Sequence, residues 1–361
     1  MPISTKPNLT VRREHPFNAE TPAERLVAAM TTPTADFYVR NHGSMPEPDT
    51  ATHRLSVGGM VEKPLDLDLA TLEKDFERRE VRALMQCAGN RRRDLLAVAP
   101  VAGDPWGPGA LGNADWSGVS LADVLKAAGV KEGKGLHVAI DCLDECEMDG
   151  ETFTYGVSIP LEKAMHPLTL IATGMNGEAL TREHGAPMRI VAPGFAGARN
   201  AKWVRAITVQ DHPSDNPIQR TEYKLFPSEI TAETADPAKG MTIEPMPLNS
   251  AICIPANHAN LKEGRTTVAG WAVSGSHPIA RVELSLDGGR SWLQTELEND
   301  TDHPWSWTLW SIEVPLCVGD HELVARAFDA AGQTQPSLSD DTWNYKGYLE
   351  NAWHRVHVVV G

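Results

Sequence analysis

Met85-Gln86-Cys87-Ala88-Gly89-Asn90-Arg91-Arg92-Arg93 sets one thiol beside three guanidinium groups in a chain that is otherwise acidic. Nearby positive charge favours the thiolate, which is both the nucleophile and the soft metal ligand among side chains. Cys87 is therefore a candidate reactive sulfur or metal ligand. The spacing taken alone fits equally well a buried cysteine followed by a solvated basic run. An apolar segment over 81–86 leads into the thiol, which places it at the mouth of an element, and Gly89 allows close backbone approach there.

The length of 361 residues favours two domains, and 41% hydrophobic residues is enough to fill their cores. A formal net charge of -15 excludes nucleic acid and anionic membrane as broad-surface partners. An anionic substrate would need a local cationic pocket, for which the run Arg91 to Arg93 is the best candidate. Five cysteines, at 87, 142, 146, 253 and 317, are an odd number and no disulfide framework. Cys142 and Cys146 match neither the redox pair nor the covalent haem pattern, and read as residues of a core strand and its exit loop. Arg12-Arg13 has no apolar run after it, and no stretch nears the roughly 20 apolar residues of a membrane span. The chain reads as soluble and cytoplasmic as given, or periplasmic if a leader has been removed.

Outward from the thiol, residues 1–20 read as an extended arm, and Thr21-Pro22-Ala23-Glu24 as a capped helix start. Residues 36–40 have strand-like content and deliver Arg40, Asn41 and His42 into a loop. A half-buried strand over 53–61 and a short helix over 69–76 follow. Gly107-Pro108-Gly109-Ala110-Leu111-Gly112 has the glycine spacing of a dinucleotide fingerprint, but no strand precedes it and no helix follows, so it reads as a glycine-rich loop. Ser120 caps a helix running to Gly129. Short strands are expected over 136–140, 156–161, 168–172 and 188–191, which makes the first region α+β. From about residue 248 the pattern is all-β, with strands over 266–273, 280–286, 292–297, 305–310, 321–327 and 356–360 and a hairpin turn at Asp287-Gly288-Gly289. That spacing indicates an immunoglobulin-like β-sandwich.

Cys87-Ala88-Gly89-Asn90-Arg91-Arg92 resembles the signature of the sulfite oxidase family of molybdenum-cofactor enzymes. Further matches follow in family order: Phe37-Tyr38-Val39-Arg40-Asn41-His42, Tyr155-Gly156-Val157-Ser158-Ile159-Pro160-Leu161, His184-Gly185-Ala186-Pro187-Met188-Arg189, Gly197-Ala198-Arg199-Asn200-Ala201-Lys202-Trp203 and Asn351-Ala352-Trp353-His354-Arg355-Val356. The resemblance implies a mixed α+β molybdopterin-binding domain of the sulfite oxidase fold followed by the sandwich. It divides the chain into an N-terminal arm and first helix (1–30), a catalytic domain with its linker (31–245) and an immunoglobulin-like dimerisation domain (246–361).

By the same resemblance, Cys87 binds molybdenum through sulfur, and Arg40, Arg92, Tyr223 and Lys346 complete the catalytic set. Tyr38, Val39, Asn41, His42, Asp144, His184, Arg189, Asn200, Ala201 and Lys202 hold the molybdopterin. Without it, His184 and Arg189 read as solvated loop residues, Asp144 as a turn carboxylate and Tyr223 as a packing residue. Two positions depart from the family: lysine replaces arginine at Lys346, keeping the charge and losing the planar fork, and glutamate replaces aspartate at Glu222. The implied reaction is oxidation of sulfite to sulfate by oxygen-atom transfer, without haem. Electrons pass to a separate acceptor, a cytochrome or oxygen, and the enzyme works as a homodimer. The rival readings are a reductase of sulfoxide or nitrate on the same cofactor, and a non-catalytic binding module.

Overall fold

The computed structural model describes residues 8–131 and 133–361. The first region builds two five-stranded sheets. In one, Arg78–Gln86 pairs with Leu111–Ser120, which pairs with Leu170–Met175, and that strand carries both Glu178–Ala179 and Arg189–Val191, all antiparallel. In the other, the order is Leu65–Asp68, Arg54–Gly59, Val204–Gln210, His137–Met148 and Glu151–Pro160, with Val204–Gln210 parallel to Arg54–Gly59. Leu121, Val124 and Leu125 of the helix Leu121–Ala127 pack into the core that these sheets share. That helix stops before Gly129, whose φ of +68° is the left-handed conformation that glycine adopts without penalty. The helix Leu69–Asp75 starts at Asp68, whose carboxylate accepts the Thr71 backbone N–H at 2.7 Å.

Several expectations change in detail. Residues 1–7 of the expected arm lie outside the described residues; from Thr10 on it is a hairpin, Thr10–Arg13 with Asn18–Glu20. The helix Ala23–Leu26 forms, but Thr21 does not cap it, because its hydroxyl donates to the Asp36 carbonyl at 2.7 Å. The strand expected over 36–40 reduces to a single bridge, Val39 to Ala19, since 34–36 form a turn. Cys146 is not in an exit loop: the strand His137–Met148 continues through an irregularity between Asp141 and Glu145, and both cysteines are buried on it.

The second region is a sandwich. A four-stranded sheet of Asn249–Ile254, Gly264–Val273, Thr308–Leu316 and Glu296–Asn299 faces a five-stranded one of Ala259–Leu261, His354–Val360, Gly319–Asp329, Ile279–Ser285 and Leu293–Gln294. Val268, Val282, Trp310, Leu323 and Val356 fill the space between them, each fully buried side chain contributing about 1.5–3 kcal/mol. The turn at Asp287 forms as expected. Its carboxylate accepts the backbone N–H groups of Arg290 and Ser291 at 3.0 and 2.9 Å, and Gly288 and Gly289 take φ of +75° and +97°. The strand expected over 292–297 breaks at Thr295, which bonds back to the Val282 carbonyl, and its halves join opposite sheets.

The sandwich is docked on the first region through a shared core of Leu26, Leu111, Ala251, Trp271, Val273 and Trp307. The strand expected over 305–310 begins only at Thr308. Trp305 instead accepts the Leu84 N–H through its carbonyl, and Trp307 Nε1 donates to the Met30 carbonyl, each at 2.9 Å.

Candidate active site

Cys87 follows the end of strand Arg78–Gln86 and is 5% exposed. Its backbone N–H donates to the Ala110 carbonyl at 2.9 Å, and its sulfur accepts the Gly89 N–H at 3.4 Å. Asn90 locks the turn, donating its N–H to the Cys87 carbonyl and accepting the Ala110 N–H at its side chain, both at 2.9 Å. The glycine-rich segment proves to be the backing of this turn. The carbonyls of Gly107 and Trp106 accept the N–H groups of Arg91 and Arg93 at 2.9 Å, and Trp106 is fully buried.

The three arginines diverge. Arg91 takes a left-handed φ of +64°, which turns its side chain away from the thiol and into the sandwich. There its guanidinium donates to Asn249 Oδ1 and the Ala352 carbonyl at 2.8 Å and lies 3.6 Å from the buried Glu350. Arg93 is exposed. Arg92 donates to the carbonyls of Gly347 and Asp104 at 3.0 and 2.9 Å. Three glycines surround it: a Cβ at Gly89, Gly103 or Gly347 would lie less than 3.0 Å from its guanidinium or stem. The run is therefore not the cationic pocket expected of it.

The cleft itself, roughly 600 Å³ out to its open mouth, draws its positive charge from Arg40, Arg189 and Lys202. Near the thiol stand Arg40, His42 and Tyr223. Burial alone would weaken the charge on Arg40, but Tyr223, Cys87, Asp104 and Tyr348 around it raise its proton affinity overall. Burial, with Arg40 and Lys202 nearby, holds His42 well below the usual imidazole range, so it is neutral at pH 7. Its Nε2 meets the Tyr223 hydroxyl, and its ring lies against Tyr155 at 4.9 Å. Burial pushes the Tyr223 phenol up, so it keeps its proton. Tyr223 itself sits at φ +48° and stacks on Tyr348 at 5.2 Å.

At the other end, Arg189 is buried and bonds the carbonyls of His184 and Asn200 at 3.0 and 2.8 Å. Its Nε has no partner, and burial brings the guanidinium down to about 10. Burial also pushes Asp144 up to about 6 despite the attraction of Lys202, and its Oδ1 has no partner. Lys202 donates to Asn41 Oδ1 and to the Glu183 carbonyl, over the ring of Trp203. The Asn200 side chain holds the loop, accepting the Ala192 N–H at 2.7 Å.

Tyr38, Arg40, Asn41, His42, Cys87, Asp144, His184, Arg189, Asn200, Ala201, Lys202 and Tyr223 all line this cleft. His184, Arg189 and Asp144 are buried there, not solvated. Val39 does not line it; its side chain packs with Leu9, Phe17 and Ala19, and its backbone bridges Ala19. Arg92 and Lys346 stand outside the lining. Lys346, expected as a pocket cation, donates to Glu222 Oε1 at 2.6 Å and to the Thr221 carbonyl at 3.2 Å. Sequence reading missed Met85, Glu183 and Tyr155 as lining residues and Tyr348 behind Tyr223. Tyr155 stood in a quoted motif; for Tyr348 the chain carries no local signal. Among the described residues no cluster of three or more His, Cys, Asp or Glu could hold a metal by itself, which leaves Cys87 as the thiol of the cleft lining, beside the neutral thioether of Met85.

The oxidoreductase molybdopterin binding domain matches residues 42–218, and the Mo-co oxidoreductase dimerisation domain matches residues 240–361. Sulfite oxidase from Gallus gallus is 40% identical over 358 residues, covering 97% of this chain and 77% of its own length. Mitochondrial sulfite oxidase from Homo sapiens is also 40% identical, over 98% of this chain, which spans 66% of that protein's length. The sulfane dehydrogenase SoxCD from Paracoccus pantotrophus superimposes with a TM-score of 0.82 at 26% identity, over 98% of this chain and 89% of that one.

The residues present fit a molybdopterin. A buried arginine with an unused N–H and a half-buried lysine suit a phosphate, an unpartnered carboxylate oxygen suits the N–H edge of a pterin, and a single thiol suits the metal. With both matched domains in sequence order and near-complete alignment to sulfite oxidases, the chain belongs to the sulfite oxidase family of molybdopterin oxidoreductases.

Proposed function

We propose that this chain oxidises sulfite to sulfate, as a homodimer paired through the sandwich, and passes the electrons to a separate acceptor, a cytochrome or oxygen. The division into an arm (1–30), a catalytic domain with linker (31–245) and a dimerisation domain (246–361) is part of the same reading. The observation that carries it is one cleft holding the thiol of Cys87, the cation of Arg40 and the phenol of Tyr223 at one end, and the partnerless polar atoms of Arg189 and Asp144 at the other.

Cys87 would bind molybdenum through its sulfur. Arg189, Lys202 and His184 would hold the phosphate of the cofactor, and Asp144 its pterin edge. Tyr38, Val39, Asn41, His42, Asn200 and Ala201 would supply backbone and side-chain contacts along it. When bound, the molybdenum cofactor supplies the two-electron redox chemistry and the oxygen transfer.

Arg40 attracts and orients the sulfur oxyanion. A charge pair at about 4 Å is worth on the order of 4 kcal/mol at an effective dielectric near 20, and the raised proton affinity of Arg40 keeps that charge in place at neutral pH. The Tyr223 hydroxyl is hydrogen-bonded to Nε2 of neutral His42 in the present state, and donates its proton to an oxygen of the bound anion when one enters. Arg92, bonded to two carbonyls and 5.4 Å from the Tyr348 ring, adds fixed positive potential behind Tyr223.

Purified protein with molybdenum loaded should reduce ferricyanide on addition of sulfite. A fully loaded enzyme that leaves the dye oxidised with sulfite overturns the substrate assignment. Dye reduction by a sulfane donor in its place would move the substrate towards the one named for SoxCD.

A further inference from the structure

The tripeptide Lys346-Gly347-Tyr348 lies in the second region, yet each of its residues holds a different part of the site. Lys346 Nζ bonds Glu222 Oε1 at 2.6 Å and the Thr221 carbonyl at 3.2 Å. The Gly347 carbonyl accepts Arg92 Nε at 3.0 Å, and at φ +65° this glycine has no room for a Cβ beside the Arg92 stem. The Tyr348 hydroxyl donates to Glu222 Oε2 at 3.0 Å, and its ring stacks on that of Tyr223 at 5.2 Å and 22°. The loop carrying them is itself fixed, because the Asn344 side chain accepts the Tyr348 N–H at 3.0 Å and donates to the Tyr348 carbonyl at 2.8 Å.

Three consecutive residues, 221–223, are thus gripped from one side. That grip falls where the chain needs it. Tyr223 adopts a left-handed backbone that is strained for a non-glycine residue, so its ring stays in place only while its surroundings over-determine it. Both oxygens of the Glu222 carboxylate are engaged, one by a cation and one by a phenol.

We propose that Lys346 and Tyr348 are positioning residues that act through Glu222 to set the ring of Tyr223, and that the charge of Lys346 serves this clamp and does not bind substrate directly. Tyr348, which no family position assigned in advance, becomes part of the machinery. The kinetic consequence rests on the sulfite reading; the placement of Tyr223 does not.

The test uses loaded enzyme with tyrosine labelled by carbon-13 at the hydroxyl-bearing ring carbon, the Tyr223 signal being identified by its loss in Tyr223→Phe. Glu222→Gln, Lys346→Met and the double variant are compared with no sulfur anion present. Lys346→Met should move the Tyr223 signal as far as Glu222→Gln does, and the double variant should move it no further. In sulfite turnover, each of the three should lose about tenfold in kcat/KM, mostly in kcat, because groups acting through one network do not add. Tyr348→Phe keeps the stacked ring and removes only the hydrogen bond, so it should fold and shift the same signal in the same direction.

A Tyr223 signal unmoved by Lys346→Met overturns the clamp, as do double-variant losses that multiply to about a hundredfold. So does a KM that falls in Glu222→Gln, which would mean that the freed lysine binds the anion. Because the ring signal is read without sulfite, a wrong substrate assignment would leave it intact.

Discussion

The two ends of the cleft are built on opposite plans. Around Cys87 the ionisable groups already have partners within the protein: Arg92 two carbonyls, Glu222 Lys346 and Tyr348, and Tyr223 His42, while among the described residues only the neutral Gln86 oxygen, Asn90 amide nitrogen and Trp106 indole N–H there lack one. Around Asp144 the ionisable groups are not all satisfied. One carboxylate oxygen and one arginine nitrogen lie buried without partners, and burial pushes both groups towards their neutral forms. Buried groups without partners each cost about 1–3 kcal/mol, so the second end is completed by what binds there. The first end is fixed before anything binds, which is what transition-state electrostatics requires.

The largest effect should come from the fixed end. Cys87→Ser replaces a soft sulfur donor by a hard oxygen of similar size in a turn held by backbone bonds and Asn90. Turnover with sulfite should fall by more than about a thousandfold, while thermal unfolding stays close to that of the parent. Retained turnover would show that the sulfur is not a required ligand and that satisfaction around it has another purpose.

Arg91→Met tests whether that end depends on the docked sandwich. Arg91 is 1% exposed and ties the Cys87 turn to Asn249, Ser250, Ala352 and the buried Glu350. Breaking a buried pair by removing one partner costs about 3–5 kcal/mol. Urea unfolding should show a loss at the lower end of that range, because burial already pushes the Glu350 carboxyl towards its neutral form, against the pull of Arg91. A loss below about 1 kcal/mol, the worth of a surface pair, would mean that the two regions dock without it.

The same residue shows where sequence reading stops. Three arginines in a row look alike locally, and only the left-handed backbone at Arg91 sends the first into the sandwich while its neighbour turns towards Gly347. Turn chemistry and alternation were readable for the Asp287 turn and for strands such as Gly264–Val273. Asn249–Ile254, buried at five of six positions, has no alternation to read. Most cleft residues were legible through their motifs, because Cys87, His42 and Arg189 each sit in a distinctive run. Lys346 and Glu222 both stand out as departures from the family, but their pairing spans 124 residues and neither neighbourhood says that they meet.

Asp144→Asn probes the open end and should give the smallest effect, one with a definite pH signature. In the unfolded chain this carboxyl loses its proton near pH 4; in the folded cofactor-free protein it keeps it up to about 6. Between those values folding retains a proton that the unfolded chain has released, so stability falls as pH rises through the window and the full penalty is present above it. The asparagine variant carries no such group. Compared with the parent by urea unfolding of the cofactor-free protein, it should be more stable by about 1–3 kcal/mol at pH 7.5, and the difference should shrink to about a third of that at pH 4.5, closing fully only below the unfolded carboxyl's pKa near 4. Loading should respond in the opposite direction, because the amide offers the pterin edge a neutral acceptor in place of a charged one, and molybdenum content at pH 7.5 should drop. An unfolding difference that is the same at both pH values would place the proton on another group, and the contrast between the two ends of the cleft would then rest on Arg189 alone.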